Sequence, residues 1–301
     1  MDSVQTKNQS AAGVSPEIVL ESGLAPQWPM SVEAFLSGPY LQRSDVVLTR
    51  KNRDFKSWFI RWATKGSFSH AALVFLVPHQ EKGFNNSFVI ESASKGVDLK
   101  NLADYLNDRR SVVGIKRVTG AWFEGDPQSR VRGRMLNSIE SKYSYATIAA
   151  IGFDFLSQLA FGVRSRVQGA RKAIKGRRAQ SLAPPNEFIC SGLVQLGFVN
   201  AVAEQIAAGK LPPKTFSNVV FKDNLARFLP ADWETFSSDL QHEIVWDFVS
   251  GFQEDLEAAT PEDLASSPNL DWVYIIQDGK VHPVHTDEEA RGLLNWKPTR
   301  V

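Results

Sequence analysis

Short β-branched runs alternate along this chain with stretches whose apolar residues recur at three and four. The run VVLT within 45–49, introduced by polar residues, predicts the first strand. Over 54–64, Phe55, Trp58, Phe59 and Trp62 fall at helical spacing, with Gly66 just beyond as a stop. Strands at 68–77 and 88–91 follow. The linker PHQEKGFNNS between them carries the Pro, Gly and Asn residues of a hairpin connection, so the two strands are expected to pair antiparallel.

Further along, KGVDLKNLADYL predicts a short stretch and then a helix carrying Leu99, Leu102 and Leu106, 112–118 a strand, and 128–141 a helix. An apolar helix then runs into a block, 164–178, with seven Lys or Arg and no acid; together they make a helical insert over 144–183. Pro184, Pro185 and Asn186 break the chain, and Asn186 supplies a cap for a helix beginning close to Cys190. Residues 223–263 reverse the local sign, with eleven Asp or Glu against Arg227 alone, and WVYIIQDGKVHPV closes with a hairpin at Asp278 and Gly279. The expected organisation is a polar leader over 1–27 and one α+β domain over 28–301. Within it, an acidic helical part and the closing hairpin occupy 221–301.

Composition narrows the chemistry. Hydrophobic residues make up 43% and charged residues 22%, as in ordinary globular proteins. The 34 basic and 33 acidic residues leave a net charge of +1, so no field gathers nucleic acid and no nucleic-acid partner is expected. The first residues lack the basic start and apolar run of a Sec-type signal, and the least polar long window, 145–163, is interrupted by Asp154, Gln158 and two glycines. Synthesis in the cytoplasm is expected, with peripheral membrane association or a non-Sec route as ways to leave it. His282 and His285, near Asp287 and Glu288, read as a polar loop rather than a metal site. No phosphate loop or dinucleotide fingerprint is present, so neither metal nor cofactor is expected.

A lone cysteine, Cys190, excludes an intrachain disulfide and leaves two readings, a small buried hydrophobe or a nucleophile. In NEFICSGLVQLGF it falls in the first turn of the predicted helix, where free N–H groups and the helix dipole favour a thiolate. A cysteine nucleophile also needs a base and a group that orients that base. His70 opens the apolar strand AALVFLV, as either a core histidine or the base, and Glu91 ends the run FVI. A hairpin symmetric about Gln80 and Glu81 pairs 70 with 91, 72 with 89 and 74 with 87, which sets carboxylate beside imidazole on one face. Tyr40, Asp45 and Tyr145 are minor candidates for lining the cleft.

The order SHAALV, FVIES and FICSGLV, with DVVL upstream and KYSY between, resembles the permuted NlpC-type papain-like cysteine enzymes, in particular their YiiX-like branch. The resemblance covers about residues 40–200, and TPEDLASSPNL is similar to the family's closing segment. It implies a circularly permuted papain-like fold in which an antiparallel sheet packs against the helix carrying the nucleophile. It also implies Cys190 as nucleophile, His70 as base and Glu91 as third polar group, acting on an acyl carbon through a thioester. Relatives in the lecithin retinol acyltransferase branch use a second histidine as third group, which makes His79 the competitor. The long basic insert departs from the family pattern.

That insert bears on the substrate. Apolar residues followed by Lys and Arg over 148–178 have the composition of a peripheral contact with an anionic membrane, which favours a lipid acyl ester and phospholipase-like chemistry. If 148–178 is instead a packed helix and a solvated loop, an amide in a peptide or peptidoglycan-like fragment is the better substrate. A non-catalytic module that binds membrane or an acidic partner is the third reading. The residues say nothing of oligomeric state.

Overall fold

The computed structural model describes residues 26–93, 96–139, 142–143, 187–230 and 232–294. Its core is an open antiparallel sheet of eight strands: β1 (Met30–Ser31), β2 (Val46–Lys51), β3 (His70–Leu76), β4 (Phe88–Ala93), β5 (Gly96–Asn101), β6 (Ser111–Arg117), and two late strands, Asp271–Gln277 and Lys280–Pro283. Between these in sequence, β7 (Lys142–Tyr143) and β8 (Glu187–Phe188) form a separate parallel ladder, so the late strands are β9 and β10. Across the sheet the order is β1-β10-β9-β6-β2-β3-β4-β5. The helices near the site are α1 (Val32–Ser37), α2 (Phe55–Thr64), α3 (Ala103–Leu106), α4 (Asp126–Leu136) and α5 (Cys190–Ala207). The expected α+β class and antiparallel sheet are both present.

Both faces of the sheet are buried, which is why β2 is a continuous apolar run rather than an alternating one. Val46 and Leu48, with Ala71, Leu73 and Ile90, face a core built with Leu193, Val194 and Phe198 of α5. Val47, Ala72, Val74 and Val89 face a second core closed by Phe35, Leu102 and Leu106. The α5 helix is apolar nearly all round because the C-terminal helices cover the side that the sheet does not. The closing hairpin pairs Gln277 with Lys280, and its turn residues Asp278 and Gly279 have φ of 53° and 75°, the left-handed pair that a two-residue turn requires.

Several expectations need correcting. Residues 96–101 form the edge strand β5 on β4, so Leu99 lies in a strand, and the helix after it is only α3. Its pairing with β4 outweighed the helical spacing of the leucines. The helix expected over 128–141 runs from Asp126 to Leu136. The helix expected to stop at Gly66 ends with Lys65 in the left-handed cap, while Asp54 caps its start by accepting the Ser57 N–H. Ile189, not Asn186, holds the N-cap position of α5, and no side chain caps it. Residues 1–25 of the leader and the whole insert (144–183), with Tyr145 and the basic block, lie outside the described residues.

The closing segment braces the approach to β3. Thr260 and Asp263 form a reciprocal capping box at the start of the helix Pro261–Ser266. From that helix, the Glu262 carboxylate accepts the Ser67 N–H at 2.9 Å. At its other end, fully buried Lys116 of β6 donates to the carbonyls of Ala265 and Ser267 at 2.7 and 3.1 Å, and burial lowers its pKa to about 8.

Candidate active site

The hairpin register differs from the expected one by two residues. Ala72, not His70, stands opposite Glu91, followed by Leu73 with Ile90 and Val74 with Val89; Leu76 with Phe88 centres the turn on Lys82, and an irregularity between Val74 and Leu76 carries one extra residue of β3. A two-residue offset preserves parity, so the His70 and Glu91 side chains stay on one face as diagonal neighbours. His70 Nε2 lies 2.5 Å from Glu91 Oε2. The carboxylate is almost entirely covered, and the imidazole keeps 19% of its side-chain surface open.

Where this ladder ends, the sulfur begins. Val74 N–H bonds to Asp45 across β2, so the odd-numbered N–H groups of β3 point toward β4. The β3–β4 pairing stops at Ala72 and Glu91, leaving the Ala71 N–H without a strand partner, and it donates to the Cys190 thiol. The Ser191 N–H in the first turn of α5 donates to the same sulfur. His70 is hydrogen-bonded to it as well. Since Nε2 is committed to Glu91, Nδ1 is the nitrogen left for the sulfur. Cys190 is buried, yet its sulfur is surrounded by three donors rather than by hydrocarbon.

Electrostatics follow from this packing. Burial opposes charge on Cys190, but the imidazolium and the two N–H groups outweigh it and hold the thiol below its ordinary range. Burial likewise opposes charge on His70, and the Cys190 and Glu91 anions on either side overcome it, pushing the ring up to about 10. On Glu91, too, burial favours the neutral form, and hydrogen bonding and charge from His70, with Lys100 assisting, hold the carboxyl below its usual value. Each of the three groups is thereby biased toward its charged form, thiolate, imidazolium and carboxylate.

Tyr105 is a site residue that the sequence did not single out. Its hydroxyl donates to Glu91 Oε2 and lies 3.2 Å from His70 Nε2. The phenol and imidazole rings stack at 6.1 Å, and Lys100 Nζ sits 4.4 Å over the phenol. The signal that finds Tyr105 is the edge strand β5. Once 96–101 pairs with β4, Asp98 stands opposite Glu91, and buried Leu102 and Leu106 bring α3 back over the carboxylate.

Other candidates lie elsewhere. His79 is exposed beyond the far end of β3, within reach of the charges of Asp45, Arg117 and Arg43. Asp45 is fully buried in a two-point ion pair with Arg117, at 2.6 and 2.8 Å, and accepts the Gln42 N–H. Tyr40 stacks on Phe35 and meets Trp28 edge-on. These are packing and turn roles, so Asp45 and Tyr40 do not line the site. Among the described residues no group of three metal-ligating side chains gathers, around His282 and His285 or elsewhere.

The start of α5 is held in place by its own polar residues. Ser191 Oγ donates to the Ala259 carbonyl at 2.6 Å, while Gln195 donates to Val219 and accepts from the Phe221 N–H. Gly192 lets the backbone of the Gln253–Glu257 helix approach closely, since a Cβ there would lie 1.9 Å from the Glu257 carbonyl oxygen. Ala normally gains about 1 kcal/mol over Gly inside a helix. Gly192→Ala is expected instead to cost about 2 kcal/mol or more, because the clash is with backbone that cannot rotate away. Urea unfolding measures it, and a stabilised variant would refute this packing.

Compared with known proteins, the chain matches no family model and no curated sequence.

Proposed function

We propose that this protein is a thiol-dependent acyl hydrolase or acyltransferase working through Cys190, His70 and Glu91, built on a circularly permuted NlpC-type papain-like plan. The observation that carries this reading is the Cys190 sulfur, at the first residue of α5, within hydrogen bonding of an imidazole whose opposite nitrogen is held by a buried carboxylate. A purely structural cysteine needs neither an imidazolium nor two N–H donors.

The chemistry follows in order. The Cys190 thiolate attacks the acyl carbon, forming a C–S bond while the carbonyl π electrons move to oxygen. The backbone N–H of Cys190, at a helix start where such groups lack intrahelical partners, is the first donor to that oxyanion. Collapse re-forms the carbonyl and breaks the bond to the leaving oxygen or nitrogen, which takes the proton from His70. Water or another acceptor then gives a proton to His70 as it attacks the thioester, and the thiolate leaves. Glu91 and Tyr105 fix the ring and favour its charged form throughout.

For substrate, the apolar-then-basic composition of 148–178 favours a lipid acyl ester over a peptide amide. Among the described residues no helix is long and apolar enough to cross a membrane, so the lipid reading is one of action from a membrane surface. The test is incubation with phospholipid vesicles and with peptide amides, followed by mass spectrometry for released fatty acid, released amine and an acyl adduct on Cys190. Fatty acid release with the adduct supports the lipid ester; amine release alone overturns it in favour of an amidase; no product and no adduct overturns the enzyme reading.

Glu91→Gln and Tyr105→Phe separate positioning from nucleophilicity. Glu91→Gln keeps the shape but loses the charge that raises His70, and is expected to lower kcat about a hundredfold and bring the alkaline limb of the pH profile down from near 10. Tyr105→Phe removes one charge-assisted hydrogen bond and is expected to cost about tenfold. If Tyr105→Phe proves the more damaging, the phenol has a direct role in place of a positioning one.

A further inference from the structure

An exposed aromatic surface lies beside this site. The α2 helix presents Phe55 at 77% and Trp58 at 51% exposure, with partly exposed Phe59, Ile60 and Trp62. Phe55 and Trp58 lie 5.7 Å apart, Trp58 and Trp62 stack at 6.3 Å, and Phe59 sits 5.9 Å from Trp62, so the rings form one continuous aromatic surface. Along the chain, 50–65 holds Arg50, Lys51, Arg53, Lys56, Arg61 and Lys65 against the single acid Asp54. Some of these cations are used internally, since Lys51 pairs with Asp108 and Arg50 donates to the Leu294 carbonyl. Arg53 and Lys65, at the two ends of the helix, are exposed, and Arg61 is partly so.

Exposed Phe and Trp rings bracketed by Lys and Arg, on a helix too short to span, match the water–lipid boundary, where aromatic rings sit at headgroup depth and cations meet anionic headgroups. A protein partner's hydrophobic pocket would accept the rings but gives no reason for the cationic border, and nucleic acid would give none for the aliphatic Ile60. Position adds to this. The α2 helix leaves the sheet after β2 and returns at Ser69 to begin β3 at His70, and Thr49 pairs with His70. It therefore projects from the end of the sheet where His70 and Cys190 meet.

We propose that α2 is the element by which this protein docks on an anionic phospholipid surface, seating the aromatic rings at the interface with the Cys190 end of the sheet toward the lipid. The docking does not depend on the thiol chemistry, and it is assigned to described residues outside the 148–178 stretch. The full-length chain is mixed with vesicles of pure phosphatidylcholine or of equal phosphatidylcholine and phosphatidylglycerol, and binding is read by co-sedimentation. Wild type is expected to bind the phosphatidylglycerol vesicles and to bind pure phosphatidylcholine weakly. Phe55→Ser with Trp58→Ser, both on the exposed face, is expected to bind the anionic vesicles at least about tenfold more weakly. Arg53→Glu with Lys65→Glu is expected to remove the preference for the anionic mixture.

Circular dichroism and the melting temperature establish that the variants fold. Cys190→Ala is expected to bind vesicles like wild type, which separates docking from turnover. Two results overturn the proposal: wild type that binds neither vesicle, or folded α2 variants that bind as wild type does, which would assign any membrane contact to another segment.

Discussion

Cys190→Ala is expected to reduce acyl transfer to the uncatalysed background, a fall of about a millionfold if the wild type behaves as enzymes that form a covalent acyl intermediate do. The magnitude follows from the chemistry, because without sulfur there is no thioester and His70 has no thiol proton to take. Labelling by a thiol-directed acyl probe should vanish with it, since the chain has no other cysteine. Folding should survive, because Ala is close to Cys in size and the anchors of α5, at Ser191 and Gln195, do not involve the sulfur. A folded Cys190→Ala that retains turnover would remove the sulfur from the mechanism.

His70→Ala is expected to be nearly as damaging, a loss of about a thousandfold or more, through two effects. It removes the proton acceptor and donor, and it withdraws the cation that offsets burial of the thiolate, so the thiol rises out of its depressed range. The pH dependence has a definite sign. Under the proposed mechanism the working range lies between the lowered pKa of Cys190 and the raised one of His70. Activity is therefore expected to be nearly level through neutrality, to fall on the acid side as the thiolate takes a proton, and to fall again as pH rises through about 10. A profile that rises only in the ordinary thiol range would show that the sulfur and the ring do not share a proton. Exogenous imidazole offers a further check, since partial rescue of His70→Ala distinguishes lost proton transfer from lost structure.

Much of this site was legible in the chain order of its residues. Cys190 at the start of a helix, His70 at the start of a strand and Glu91 near the end of the next can all be read from local pattern, because helix starts and hairpins are announced by nearby residues. The register is another matter. Symmetry about Gln80 and Glu81 gave the right face and the wrong partner, since the hairpin turns about Lys82 and an irregularity between Val74 and Leu76 then shifts the pairing by one. Parity, not register, carried the inference.

What stayed hidden was set by contacts distant in sequence. Tyr105 acquires its place from β5, an edge strand of mixed polarity, GVDLKN, whose leucine mimicked helical spacing. Asp45 looked like a strand-start residue available to a cleft, and only Arg117, seventy-two residues away, makes it a buried ion pair. The Ala71 N–H that meets the sulfur is invisible in the sequence because it depends on where a ladder stops.

The account rests on a charged pair, thiolate with imidazolium, and the single cysteine makes that pair directly observable. Ultraviolet absorbance of the thiolate, titrated in wild type and corrected with Cys190→Ser, reports the ionisation of Cys190 alone. The predicted curve shows the thiolate already formed at neutral pH and lost only in acid, with His70→Ala moving the midpoint above the ordinary thiol value of about 8.5. A wild-type midpoint at or above that value, unmoved by His70→Ala, would contradict the charged pair and with it the catalytic reading.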